Sequence, residues 1–203
     1  MPKRVAVDKP KPKGRGWLRI IGGVWRGRKF VVPEAEGLRP TNERAREAIF
    51  NRLMHAEGTF GLRLKGAKVA DLFAGTGALG LEALSRGAKS VLFVERDADA
   101  CRALTQTIKA LMIEDRTELR HGDASAPAPQ HTPFDLILMD PPYNQSLIVA
   151  TLIALSARGW TKPGTLIIAE TEARTPLDLP PGHTLIDQRR YGRADIAFII
   201  FKN

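Results

Sequence analysis

Only one cysteine, Cys101, occurs in the 203 residues, so no intrachain disulfide and no cysteine-based zinc cluster can form. Histidine is scarce too: His55, His121, His131 and His183 show no metal-ligand spacing, and no Ser/His/Asp arrangement accompanies them. No resident metal is expected. No apolar run approaches the ~20 residues that span a bilayer. The opening MPKRVAVDKPKPKGRG is basic but lacks the apolar stretch of a secretory signal. The expectation is a soluble, cytoplasmic protein with no membrane partner. Acidic residues are short in one region. Residues 1–65 carry 16 Lys and Arg against 6 Asp and Glu, whereas residues 66–203 carry 15 against 16. The formal net charge of +9 therefore resides in the first third. Such asymmetry suits a polyanion partner; a solvated basic face that aids solubility is the plainer alternative.

Residues 1–16 hold Lys-Pro repeats and Gly with few apolar side chains, and are expected to be a flexible basic tail. WLRIIGGVWRGRKFVVP, residues 17–33, has two short β-prone runs around WRGR and predicts a hairpin bent at Gly22, Gly23 and Gly27. A helix follows. Thr41 or Asn42 can cap it, Glu43 and Glu47 suit its first turns, Ala45, Ile49, Leu53 and Ala56 recur at helical spacing, and Gly58 can close it. Residues 17–60 thus form a hairpin-and-helix extension.

From residue 67 strands and helices alternate. AKVADLF, KSVLFVE, RTELRHGD, FDLILMD and GTLIIAETE read as strands. Helices are expected after the glycine turn, from about Asp97 to Met112 (burying Cys101, Leu104, Ile108 and Leu111), and from about Gln145 to Arg158. HTLIDQRRYGRADIAFIIFKN reads as two strands joined around Gly192. Alternation of this kind predicts an α/β domain over residues 61–203: a mostly parallel sheet with helices on both faces. The last two strands, with no helix between them, predict an antiparallel edge.

VADLFAGTGALG places Gly75, Gly77 and Gly80 between a strand and a helix. Glycines there allow a tight turn, and the helix start offers free N–H groups. Nicotinamide and flavin enzymes use the same pattern. Acids at strand ends separate the possibilities. Asp71 would repel a pyrophosphate but welcome a cationic amino-acid moiety. Glu95 ends the second strand, where it can accept from ribose hydroxyls, and Asp123 ends the third, where it can meet an adenine amine. Three such acids at the carboxyl edge fit S-adenosylmethionine, which has no phosphate, better than a dinucleotide. Taken singly, each could equally be a helix cap or turn former.

FDLILMDPPYN ends an apolar strand on Asp140, followed by Pro141, Pro142 and Tyr143. A nucleobase amine is a poor nucleophile because its lone pair is delocalised into the ring. Two acceptors gripping its N–H bonds can turn it and free the lone pair. The Asp140 carboxylate supplies one and the Pro141 carbonyl, on a rigid backbone, the other. Tyr143 offers a ring for base stacking, and Asp140 can take the proton released after methyl transfer. A Pro-rich turn alone would explain the prolines but neither the acid nor the aromatic.

DLFAGTGALGLEALSRGA, FVERD, GDA and DPPY, in this order, resemble the S-adenosylmethionine-dependent amino-methyltransferases. RIIGGVWRGRKFVVP with GLRPTNERAREAIFNRL resembles, more narrowly, the bacterial 16S ribosomal RNA guanine-N2 methyltransferases. The resemblance spans roughly residues 18–201. It implies a Rossmann-like methyltransferase sheet, mostly parallel, into which one terminal strand inserts antiparallel. It also implies methylation of an exocyclic guanine amine in 16S rRNA or the assembled small subunit, leaving S-adenosylhomocysteine. By the same resemblance Asp71, Ala74, Gly75 and Gly77 hold the cofactor turn, Glu95 the ribose, and Asp123 with Ala124 the adenine. Asp140, Pro141, Pro142 and Tyr143 form the transfer site. Some members carry Phe at the last position, and either ring can stack.

WRGRKF interleaves cations with aromatics. Arg26, Arg28, Lys29, Arg39 and Arg46 are the candidate RNA contacts. Trp25 and Phe30 could stack on unpaired bases or simply anchor the hairpin, and Arg46 could instead pair with neighbours on its helix. Direct methyl transfer to a flipped base by a monomer is the expected activity. A DNA or RNA adenine-N6 amino-methyltransferase uses the same tetrapeptide chemistry, although no separate base-reading domain is apparent. A nicotinamide oxidoreductase is disfavoured by Asp71 and Asp140, and a non-catalytic RNA-binding assembly factor by the intact Asp-Pro-Pro-Tyr.

Overall fold

A computed structural model describes residues 15–33, 43–55, 60–142, 145–173, 176–191 and 194–203. The tail at 1–14, the caps at Thr41, Asn42 and Gly58, Arg39, Tyr143 and the bend at Gly192 lie outside the described residues.

Strands β1 (Arg15–Arg19) and β2 (Lys29–Pro33) pair antiparallel, with Leu18 opposite Phe30 and Arg19 opposite Lys29. Gly23 and Gly27 take positive φ in the turn between them, while Gly22 is extended. The hairpin is two-sided. Leu18, Ile20 and Phe30 are buried, whereas Trp17, Arg19 and Lys29 face outward and are exposed. Helix α1 (Glu43–His55) buries Ala45, Arg46, Ile49, Phe50 and Leu53, one helical stripe.

The remaining strands form one seven-stranded sheet: β3 (Lys68–Leu72), β4 (Ser90–Glu95), β5 (Thr117–His121), β6 (Leu136–Met139), β7 (Leu166–Glu172), β8 (His183–Tyr191) and β9 (Ala194–Phe201). Their spatial order is β5-β4-β3-β6-β7-β9-β8. Strands β3 to β7 are mutually parallel, and β9 runs antiparallel to both of its neighbours, β7 and β8. The antiparallel strand is therefore internal, and β8, at the edge, runs with the rest. Burial explains the insertion. ADIAFIIF in β9 is buried along almost its whole length, so it must be covered on both sides, while HTLIDQRRY in β8 has no fully buried residue and tolerates an edge.

Helices α2 (Ala78–Ser85), α3 (Ala98–Leu111) and α4 (Gln145–Ala157) complete the fold. Asp97 caps α3 by accepting from the Ala100 N–H at 2.7 Å. On α3, Leu104 and Ile108 are buried, but Cys101 and Leu111 are only half-buried. Alternate strand residues feed two cores. Val69, Phe93, Leu138 and Ile168 pack with Leu18, Ile20, Phe30, Phe50, Leu84 and Leu104 on one face. Ala70, Leu92, Ile137 and Ile167 pack with Ile148, Leu152, Leu155 and Trp160 on the other. The hairpin and α1 thus share a core with the sheet's first face.

Polar contacts lock the hairpin turn to α2. The fully buried Glu82 accepts from the Ile21 and Gly22 N–H groups, both at 2.8 Å, and from Arg86 Nε at 2.7 Å. Ser85 Oγ donates to the Gly22 carbonyl at 2.6 Å and accepts from the Trp25 N–H at 3.0 Å. Gly23 has φ +75°, and a Cβ there would lie 1.9 Å from the Ser85 carbonyl oxygen, so only glycine fits this approach.

Candidate active site at the carboxyl edge of the sheet

In the strand order the chain leaves β3 toward β4 and β5 on one side, then returns to β6 and β7 on the other. The carboxyl ends of β3 and β6 therefore flank the point where connections diverge, the usual place for a ligand crevice in such sheets. Gly75 and Asp140 are far apart in sequence, yet this pairing sets their strands side by side.

The loop after β3 is tightly wound. Phe73 has φ +58°, unusual for a bulky side chain, and Gly75 and Gly77 have φ +52° and +75°. The Ala74 N–H donates to the Val94 carbonyl at 3.1 Å, and the Gly77 N–H to the Ala74 carbonyl at 2.7 Å. Gly80 serves packing: a Cβ there would fall 2.4 Å from Phe93 Cε1 and push α2 off the sheet.

Glu95 organises the loop. Its Oε2 accepts from the Gly75 N–H at 2.7 Å, and its Oε1 from the Arg96 and Asp97 N–H groups at 2.8 Å each. A carboxylate has about four acceptor sites; three are occupied, so one remains for an added donor such as a ribose hydroxyl. Asp123 is exposed, and its Oδ1 accepts from the Ser125 hydroxyl at 2.7 Å and amide at 2.8 Å, which hold its pKa below the usual carboxylate value. Ala124 is buried beside it. This donor-poor, acid-lined loop fits a cofactor that carries hydroxyls and amines rather than phosphate.

Asp71 lies beneath the glycine turn. It is only 1% exposed, and its Oδ2 accepts from the Gly80 N–H at 2.8 Å, tying down the first turn of α2. Burial, then the charges of Asp140 and Glu95, raise its pKa well above the ordinary value against the opposing Gly80 hydrogen bond. It supports the glycine turn from beneath.

Asp140 sits just beyond β6, half-buried, with Pro141 buried and Pro142 exposed. Glu170 on β7 was not anticipated. The parallel register pairs Met139 with Ala169, so Asp140 and Glu170 are the next neighbours along the two strands. Burial and then the Asp140 charge raise the Glu170 pKa to about 7. No motif marks this acid, because its place opposite Asp140 depends on the register of two separate strands.

The structure separates the expected RNA contacts. Arg26, Arg28 and Lys29 are exposed on the hairpin. Arg46 is 0% exposed, which corrects its assignment as an RNA contact: a guanidinium inside the core cannot meet a phosphate. Its Nη2 donates to the Arg19 carbonyl at 3.2 Å, burial lowers its pKa, and its Nε and Nη1 have no hydrogen-bond partner among the described residues. Phe30 is a core residue, and Trp25 is half-buried with the Arg116 guanidinium 5.8 Å from its ring centroid. Among the described residues no group of His, Cys, Asp or Glu could hold a metal ion, and no helix is long and apolar enough to cross a membrane.

A family model described as Conserved hypothetical protein 95 matches residues 18–200. Ribosomal RNA small subunit methyltransferase D of Haemophilus influenzae is 37% identical over 185 residues, covering 89% of this chain and 92% of that protein. The protein of the same name from Escherichia coli is 37% identical over 177 residues, covering 87% of this chain and 86% of that one. Among solved structures, the Escherichia coli protein yhhF superposes with a TM-score of 0.80 at 33% identity, over 92% of this chain and 99% of that one.

Proposed function

The chain belongs to the family of the ribosomal RNA small subunit methyltransferases D, and from that premise we propose that it methylates the exocyclic N2 amine of one guanine in 16S rRNA. S-adenosylmethionine, when bound, supplies the methyl group on an electrophilic sulfonium. The observation that carries the reading is the adjacency of β3 and β6, which sets the Glu95-held glycine turn beside the Asp140-Pro141 strand end.

Each residue has a definable task. Glu95 fixes the Gly75 amide and keeps one acceptor site for a ribose hydroxyl. Asp71 holds the first turn of α2. Asp123 and Ala124 border the adenine. Asp140 and the Pro141 carbonyl accept the two N–H bonds of the target amine, turning its lone pair out of the ring plane, and Tyr143 provides the stacking surface. The methylated amine is cationic and gives one proton to Asp140. The remaining contribution is alignment, without a covalent enzyme intermediate. Arg26, Arg28, Lys29 and Arg39 take RNA phosphates.

The test supplies the protein with labelled S-adenosylmethionine and naked 16S rRNA, assembled small subunits or duplex DNA, then locates the label by mass spectrometry. Label on guanine N2 of 16S rRNA is expected. Label on adenine, or on DNA, would overturn the reading.

A further inference from the structure

The chain has three tryptophans, and their surroundings differ sharply. Trp160 is 0% exposed, donates its indole N–H to the Ala128 carbonyl at 2.8 Å, and packs 5.2 Å from Phe134. Trp25 is half-buried under Arg116. Trp17 is 62% exposed. Strand alternation puts it there. Leu18 and Ile20 face the core, so Trp17 and Arg19 face out. Arg19 lies opposite Lys29 in the register, which places the exposed Lys29 on the same outer face, diagonal to Trp17.

We propose that Trp17 stacks on an unpaired base of the RNA substrate, while Lys29, Arg26 and Arg28 hold the phosphates on either side. The proposal rests on the ribosomal RNA reading above and adds, to Tyr143 at the transfer site, an aromatic on the hairpin. Charge complementarity selects the occupant. Residues 16–30 contain Arg19, Arg26, Arg28 and Lys29 and not one Asp or Glu. Arg19 is partly neutralised by Glu43 at 3.0 Å, but the other three face solvent and form no ion pair among the described residues. An aromatic ring among cations suits single-stranded nucleic acid, because every base has a π-face and every linkage a charge. The hairpin's inner face is buried in the core it shares with α1 and α2, so its outer face turns away from the sheet. The base on Trp17 is consequently a different nucleotide from the one that meets Asp140.

The full chain is titrated with naked 16S rRNA while acrylamide quenching of tryptophan fluorescence is followed. Trp17 should dominate the quenchable signal, RNA should protect it, and Trp17→Phe should remove that signal with little loss of RNA affinity. Trp17→Ala should weaken RNA binding and raise the RNA KM by about tenfold. Its salt dependence should match wild type, whereas Lys29→Ala should lower the salt slope by about one. S-adenosylmethionine affinity serves as the folding control for each variant. Unchanged RNA affinity in Trp17→Ala, or quenching unaffected by RNA, overturns the proposal. So does protection by phosphatidylserine vesicles where RNA gives none. Should wild type bind RNA and protect Trp17 yet methylate nothing, the platform stands and the methyltransferase reading fails.

Discussion

The carboxyl edge of the sheet and the outer face of the hairpin are built on opposite plans. At the edge, Glu95 and Asp71 are buried and accept from backbone N–H groups: Glu95 from Gly75, Arg96 and Asp97, and Asp71 from Gly80. On the hairpin, Trp17, Arg26, Arg28 and Lys29 stand in solvent on a short two-stranded ribbon. The edge is preorganised, as alignment of a small cofactor and one amine requires. The hairpin keeps side-chain freedom, which suits a long, irregular polyanion. Under the proposed function, rigidity is concentrated where bonds would change and adaptability where phosphates would be gripped.

Variants can test this division. The largest effect should come from Asp140→Ala, which removes an amine acceptor: kcat should fall by roughly 10²–10⁴ while RNA and cofactor affinities stay near wild type. Comparable losses in RNA affinity would mean that the two regions are not separate in task. Glu82→Ala attacks the joint between them. It leaves two turn amides and Arg86 without their acceptor, so stability should drop by about 3 kcal/mol in urea unfolding. Gly80→Ala should cost about 1–3 kcal/mol by wedging α2 away from Phe93, measured by the same unfolding. Reversing Arg26 and Arg28 to Glu should weaken rRNA binding by about tenfold or more at low salt, with cofactor affinity unchanged, read by filter binding and calorimetry.

The smallest effect concerns pH. Glu170 has a folded pKa of about 7 against an ordinary 4.5. The unfolded chain loses this proton first, so the contribution to stability is complete below about 4.5 and fades as pH rises through about 7. Glu170→Gln should flatten the stability profile across that window; an unaltered slope would place the pH dependence elsewhere.

Much of this was legible in the residues. Period-3.6 and period-2 patterns gave the hairpin, the alternating elements and a helix starting near Asp97, because those features depend on neighbours in sequence. Features set by docking were harder. In WLRI every residue but Arg19 is apolar, so alternation alone allows either Trp17 or Leu18 to face inward, and only the contact with the core decides. Register was equally hidden, which concealed the nearness of Glu170 to Asp140, while the insertion of β9 followed only from the family resemblance. Two signals were available. Arg46, Ile49, Phe50 and Leu53 share a helical stripe, which already marks Arg46 as inward-facing. Glu82 is the lone charge in ALGLEALS, and a single acid in an apolar helix calls for buried donors.

Helix α2 has only eight residues, about 12 Å of rise. Its first turn is pinned by Asp71 beneath the glycine turn, and its last two turns carry Glu82 and Ser85, which clasp the hairpin. An engineer trimming the enzyme to a minimal cofactor-binding unit would cut away residues 1–33 first. That cut would strip the Ile21 and Gly22 amides from the Glu82 carboxylate and remove Leu18, Ile20 and Phe30 from the core, with the damage beginning one helical turn from the glycine turn. A foldable form of this protein therefore keeps the hairpin, and insertions or fusions are better tolerated at the polar edge strand β8.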